Sequence, residues 1–272
     1  MKYKNFGIVY NPIVKNSEDV ATALTEVLVS RNLSFTKFSI DSLKTDVDFV
    51  FVIGGDGTLL SSARFYSKYS IPVFGVNLGR LGFLAQVSVE ELEAAVDAII
   101  NDKCVVEDRL MLTASEDLLA LNDFVIRGVS SYRTSRFYLN INSKFVCDYL
   151  ADGIIIATPT GSTAYGLSAG GPILAPQLDV VAIIPICPHT LTARPLVVPA
   201  TEKISVTISD SGQKFNVVAD GQYQKTLSKK IDIQKSQFHA KLALVTENND
   251  FYSVLRKKLN WGVAPRALWL RI

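Results

Sequence analysis

Histidine, cysteine and long apolar runs are scarce in this chain, and each scarcity closes off a class of protein. Of 272 residues only two are histidine, His189 and His239, so a histidine-rich metal site is not expected. The three cysteines, Cys104, Cys147 and Cys187, are isolated, odd in number and without metal-ligand spacing. They read as buried thiols of a reducing compartment and not as a disulfide framework. The longest apolar runs, such as Val180 to Cys187, are far too short to span a bilayer. The first residues carry no secretory apolar core, so a cytoplasmic protein without a membrane partner is expected. Net charge is only +2 and no basic run exceeds Arg256-Lys257-Lys258, which argues against nucleic acid as the main partner.

Two nucleotide fingerprints are also missing. There is no GxxxxGK[ST], so the P-loop route to ATP is unsupported, and no GxGxxG, the usual dinucleotide fingerprint of dehydrogenases. One GxSxG occurs at Gly166 to Gly170, with Asp179 and His189 following in hydrolase order. A nucleophile elbow needs a strand running into its serine and a helix leaving it. Here Ser162 to Gly166 precedes and Gly170-Gly171-Pro172 follows, so the match is coincidental.

What is present is concentrated in two stretches. Residues 152–173 read DGIIIATPTGSTAYGLSAGGPI. Ile154 to Ala157 predicts a short buried strand, followed by Thr158, Thr160, Ser162, Thr163 and Ser168 interleaved with glycines. Small residues admit a ligand close to the backbone, and hydroxyls and N–H groups bond phosphate or ribose oxygens. In the second stretch, Phe49 to Ile53 predicts a strand that stops at Gly54-Gly55-Asp56-Gly57-Thr58 and passes into a helix. That arrangement aims N–H groups and a helix N-terminus at an anion. Asp56 in such a cradle has three readings by itself: it takes a proton from an attacking hydroxyl, it sits across Mg²⁺ from phosphates, or it caps the helix.

The texture of the chain changes near residue 103. Before it, strand and helix patterns alternate: strands at Phe6 to Tyr10, Ser34 to Ile40, Phe49 to Ile53 and Ile71 to Val76, and helices from Ser17, acting as cap, to about Arg31 and from Thr58 to Lys68. A third helix opens on the capping box Ser88/Glu91 and ends near Asn101. After Lys103, short β-like runs follow at Asp123 to Gly128, Phe137 to Ile141, Gly153 to Ala157, Val180 to Ile184, Ile204 to Ile208, Phe215 to Ala219 and Leu242 to Thr246. The expected fold is α/β, an open parallel-sheet N-terminal domain (1–103) with a β-rich, sandwich-like C-terminal domain (104–246). A helix within about 247–272, centred on Phe251 to Leu259, is expected to pack back on the first domain. Ligands in open parallel sheets sit at the carboxyl ends of the strands, where Gly54 to Thr58 falls, and clefts between domains are common binding places.

Taken together these residues resemble the NAD kinase family, of the bacterial ATP/polyphosphate type, along the whole chain. The matching pieces are Gly54 to Leu60, Asn77 to Leu84, Leu121-Asn122-Asp123, Asp152 to Ile173, His189-Thr190-Leu191 with Arg194-Pro195-Leu196-Val197, and Asp220-Gly221-Gln222. The first is shared with lipid kinases and phosphofructokinases; all six in this order are highly specific. The resemblance implies transfer of the γ-phosphoryl group of ATP, or another donor, to the 2′-hydroxyl of the adenosine ribose of NAD, giving NADP. It implies Mg²⁺ or another divalent cation carried with ATP, and a homotetramer or homodimer with sites at domain and subunit interfaces. Asp56 becomes the proton acceptor and Gly57 its neighbour in the loop. Asn122 and Asp123 become the dinucleotide-binding pair, Asp152 a ligand-contacting carboxylate, and Thr163, Ala164, Tyr165, Gly166, Leu167 and Ser168 the lining of the NAD site. Arg133, Ala182 and Gln222 fall at further binding positions.

Three departures from the family pattern are visible. Asp123 stands where Glu is commoner, and Leu150 and Ser61 stand where many relatives carry a basic residue. Arg133 or Arg136 is expected to cover phosphates in place of a cation at 150. Rival readings are a dinucleotide sensor without turnover, which the intact Asp56 argues against, and a lipid kinase, which the lack of a basic or apolar membrane face argues against.

Overall fold

The computed structural model describes residues 2–79, 82–84, 87–114, 118–129, 134–208, 214–245 and 250–262. In the first part β1 (Asn5–Tyr10), α1 (Ser17–Ser30), β2 (Ser34–Ser39), β3 (Phe49–Gly54), α2 (Asp56–Ser67), β4 (Val73–Asn77) and α3 (Leu92–Ile100) alternate. The strands pair in parallel in the order β2-β1-β3-β4. Every residue of β3 is buried, because helices cover both faces of a parallel sheet and leave its central strand no polar side. Leu24 and Leu28 of α1 and Val96 of α3 pack on Phe6, Phe49, Phe51 and Phe74 on one face. On the other, Leu59, Leu60, Ala63 and Tyr66 of α2 pack on Val50, Val52 and Val73. The Ser88/Glu91 capping box forms, opening a 3₁₀ turn that leads into α3. Ser17 is not the cap of α1. It is the first helical residue, fully buried, accepting from the Asn11 N–H at 3.0 Å and donating to the Ile53 carbonyl at 3.2 Å. The hydroxyl thereby ties the carboxyl ends of β1 and β3 together.

The second part is antiparallel. Its elements are β5 (Val105–Ala114), β6 (Leu118–Ala120), β7 (Asp123–Gly128), β8 (Ser135–Ile141), β9 (Lys144–Ala151), β10 (Gly153–Ala157), α4 (Tyr165–Ser168), β11 (Val180–Ile186), β12 (Leu196–Pro199), β13 (Ile204–Ile208), β14 (Lys214–Ala219), β15 (Tyr223–Ser228), β16 (Lys230–Leu244) and α5 (Phe251–Leu259). A six-stranded sheet runs β12-β11-β10-β7-β14-β15, facing the antiparallel strands of a ten-stranded sheet. Between them Phe124, Ile126, Ile154, Ile156, Phe215 and Val217 meet Phe137, Leu139, Val206 and Ile231 in one core, the packing of a sandwich.

The expected strand at Leu242 to Thr246 overlaps only the last residues of a much longer one that ends at Leu244, and Thr246 lies outside the described residues. β16 has 15 residues, pairs with β13 at its start and β5 along its length, and joins β4 at Leu242↔Val73. The parallel strands and part of the sandwich are therefore one hydrogen-bonded sheet. The expected division at 103/104 falls between α3 and β5, and strands from both sides of it belong to this shared sheet. The helix over Phe251–Leu259 is capped by Asp250, which accepts from the N–H groups of Tyr252 and Ser253, and the Lys258 ammonium stands 5.9 Å from the Phe83 ring. Among the described residues no helix is long and apolar enough to cross a membrane.

Candidate active site

Strand β3 delivers the Gly54 to Thr58 loop to its carboxyl end, and Gly55 is the N-cap of α2. Asp56 is the first helical residue and not the cap, which removes one of its three sequence readings. Its carboxylate accepts from the Phe83 N–H at 2.9 Å and the Leu84 N–H at 3.3 Å. Gly82 is what lets that strand of backbone come so near: a Cβ there would lie 1.8 Å from an Asp56 carboxylate oxygen. The GGDG loop and the segment from Asn77 to Leu84 are thus one structure, with Arg80 and Leu81 outside the described residues. The carboxylate is oriented and only partly buried, at the positive end of a helix.

A buried ion pair fixes this loop against the Asn122 turn. Arg64, two turns along α2, donates to Asp220 at 2.6 Å, with both side chains buried. Asp220 also accepts the N–H groups of Leu121 at 3.1 Å, Asn122 at 2.7 Å and Asp123 at 3.2 Å. The second Arg64 nitrogen donates to the Gln222 side-chain oxygen at 2.7 Å, and the Gln222 amide donates to the Gly57 carbonyl at 2.8 Å. Gln222 therefore uses both ends of its amide within the chain. Sequence reasoning singled out Asp220-Gly221-Gln222 but missed Arg64. The available signal was a lone cation in a helix otherwise filled with small and apolar residues.

Asp123 is nearly fully buried. Burial, and secondly the charge of Asp220, push its carboxyl up from the ordinary 3.8 to about 7. The N–H groups around it are already committed to Asp220.

The hydroxyls of the stretch after β10 divide into two sets. Thr158 donates to the Leu121 carbonyl at 2.6 Å while its N–H bonds the Asn122 carbonyl at 2.8 Å. Gly161 packs so closely on Asn122 that a Cβ would lie 2.0 Å from its carbonyl oxygen. Ser162, fully buried, donates to the Pro159 carbonyl and accepts from the Leu174 N–H. The expectation that such hydroxyls serve a ligand is corrected for Thr158 and Ser162: they brace the loop against the Asn122 turn. Thr163, Ala164, Tyr165, Leu167 and Ser168 keep surface, whereas Gly166 is buried. Ser168 ends the short helix α4 and follows no strand, and Asp179 pairs with Lys235, so no hydrolase triad is assembled.

The other predicted positions lie apart from this cluster. Asp152 is exposed and precedes the first residue of β10, while Thr158 follows its last. At ~3.3 Å per residue the strand separates Asp152 from the Asn122 turn by about 20 Å. Ala182 is fully buried in the apolar patch under residues 160–174, so its side chain presents no surface within one chain. Arg133 lies outside the described residues. Arg136 is paired with Asp148 and faces Leu150 in register. Arg194 donates to the Leu191 and Ala193 carbonyls and braces its own turn. Ser61 borders a cavity of about 540 Å³ lined also by Arg64, Phe65, Lys68 and Tyr223.

The structure thus sets a glycine-loop carboxylate, tied through Arg64, Asp220 and Gln222 to an Asn-Asp turn, on a parallel sheet fused to a β-sandwich, and chains of known kinases match both parts. Residues 34–104 match the ATP-NAD kinase N-terminal domain and residues 121–245 the ATP-NAD kinase C-terminal domain. The chain is 39% identical over 223 residues to an NAD kinase of Clostridium botulinum (strain ATCC 19397 / Type A), covering 79% of each. It is 42% identical over 225 residues to one of Pseudomonas putida (strain W619), covering 79% of this chain and 76% of that one. A crystal structure of an NAD kinase from Archaeoglobus fulgidus in complex with ATP superposes with a TM-score of 0.81 at 29% identity, over 93% of this chain and 98% of that one. Yeast NADH kinase complexed with NADH shares the fold, with a TM-score of 0.82 at 23% identity, over 98% of this chain and 90% of that one. The chain belongs to the NAD kinase family.

Proposed function

We propose that this chain transfers the γ-phosphoryl group of ATP to the 2′-hydroxyl of the adenosine ribose of NAD, yielding NADP. The observation that carries this reading is the joining of Asp56 and its loop to the Asn122–Asp123 turn through Arg64, Asp220 and Gln222. Asp56 accepts the hydroxyl proton, held by the Phe83 and Leu84 N–H groups. Asn122 and Asp123 hold the dinucleotide, and the exposed residues from Thr163 to Ser168 line its path. Asp152 and Ala182 take part through the far end of the dinucleotide or a second copy of the chain. Phosphoryl transfer asks the protein for positioning and charge neutralisation more than covalent chemistry, and these residues offer positioning.

Among the described residues no group of three or more His, Cys, Asp or Glu is arranged to hold a metal ion. The donor set fits a divalent cation that arrives on the triphosphate, with Asp56 as the carboxylate at the loop; bound there, it would offset phosphate charge. A homo-oligomer fits the edge strand β9, which exposes Phe145 and Val146. A cytoplasmic setting fits three free cysteines, although none is buried as expected: Cys187 is exposed and Cys104 and Cys147 are half-buried.

The test is direct. The pure chain, incubated with NAD, ATP and Mg²⁺, is expected to form NADP. Asp56→Asn is expected to keep the fold and NAD binding and lose roughly 10²- to 10⁴-fold in turnover. Near-native turnover in that variant would remove Asp56 as the proton acceptor, and no NADP with any of several donors would favour a dinucleotide sensor.

A further inference from the structure

The face of the six-stranded sheet beneath residues 160–174 is apolar until its far end. Val125 on β7, Ile155 and Ala157 on β10, and Ala182, Ile184 and Ile186 on β11 form a buried patch with Leu174. Alternate residues of a strand share a face, so Arg127 and Gly153 come next on it. Arg127 is exposed. Gly153 leaves bare the space that the arginine stem crosses: a Cβ there would lie 2.9 Å from Arg127 Cγ. The guanidinium stands 5.6 Å from the centre of the Tyr165 ring and donates to the Tyr165 hydroxyl oxygen. Its partner is a phenol, and among the described residues it forms no ion pair with a carboxylate. A guanidinium held by one nitrogen at the hydroxyl end of the ring keeps its other N–H groups in a rigid fork suited to phosphate oxygens. Asp152 is the neighbour of Gly153 in sequence, and Tyr165 belongs to the exposed loop, so the cation borders both. Arg136, the described alternative to a cation at position 150, is taken up by Asp148.

We propose that Arg127, held out by Tyr165 over Gly153, is a phosphate-binding cation of the dinucleotide site, supplying the charge that Leu150 does not. The inference rests on the dinucleotide reading above. Titration calorimetry on the full chain with NAD, NADP, ADP-ribose (pyrophosphate without nicotinamide) and adenosine (no phosphate) tests it. Arg127→Ala is expected to weaken the phosphate-bearing ligands roughly tenfold, leave adenosine unchanged, and flatten the salt dependence of binding. Arg127→Lys is expected to recover part of the loss. Loss for NAD and ADP-ribose assigns the pyrophosphate; loss confined to NADP assigns the 2′-phosphate. NAD and NADP affinities within about twofold of native, or an equal loss of adenosine, would overturn the proposal. An unmodified chain that binds none of the four ligands would instead bring down the dinucleotide reading, and the contact with it.

Discussion

Asp123 is buried beside a second carboxylate, Asp220, and the N–H groups that would relieve it are spent on that neighbour. With its carboxyl pushed up from 3.8 to about 7, the folded chain binds a proton there that the unfolded chain has already released. Stability from this group is therefore fully present below about pH 4 and is lost as pH rises through about 7. At about 1.4 kcal/mol per pKa unit the effect is on the order of a few kcal/mol. Asp123→Asn keeps the shape and cannot ionise, so it is expected to gain stability over the native chain as pH rises from 5 to about 8. Thermal unfolding midpoints of the two proteins across that range check this. A native chain that gains on the variant with rising pH would show that Asp123 is ionised and satisfied in the fold. The pairing of Asn122 with an acid was legible in the sequence; the second carboxylate beside it was not, because it comes from Asp220, 97 positions away.

At the scale of elements, α2 is the hinge of the site's construction. Eight of its 12 residues are buried, since it lies across the adjacent strands β3, β4 and β16 on one face of their sheet. Arg64 was missed in such a helix because a single charge is ordinarily taken for a solvent-facing position, although its apolar surroundings were visible in the sequence. It is instead the post that meets Asp220, which turns at φ +52° after β14. Asp220→Ala would strand a buried guanidinium and three backbone N–H groups, and is expected to cost about 3–5 kcal/mol. Arg64→Met leaves Asp220 its backbone donors and is expected to cost less. A double-mutant cycle by urea denaturation, with Asp220→Asn to respect the backbone turn, is expected to give a coupling of roughly 1–3 kcal/mol. Additive effects within about 0.5 kcal/mol would mean that the pair does not act as one.

For the whole molecule, the alternation of the first part and the short runs of the second were legible, because parallel strands are continuously apolar and sandwich strands alternate. β7, β10, β13 and α5 fall on their expected residues. β9 and β15 were missed because their outward residues are mostly polar or exposed, and the part of β16 before Leu242 because a register shift between Lys235 and His239 interrupts its pattern. That strand decides how the molecule holds together. Its end bonds β4, its start bonds β13, and Ala240 and Leu242 sit in the same core as Val50 and Leu59. The α/β and β-rich parts are thus expected to unfold as one unit. Ala240→Pro tests it, since proline removes an N–H from a strand with neighbours on both sides. Native-state hydrogen exchange is expected to quicken together in peptides covering β3 and β8, which flank β16 on opposite sides of the sheet order. Faster exchange in β8 with β3 left as slow as in the native chain would show two separable domains joined only by contact.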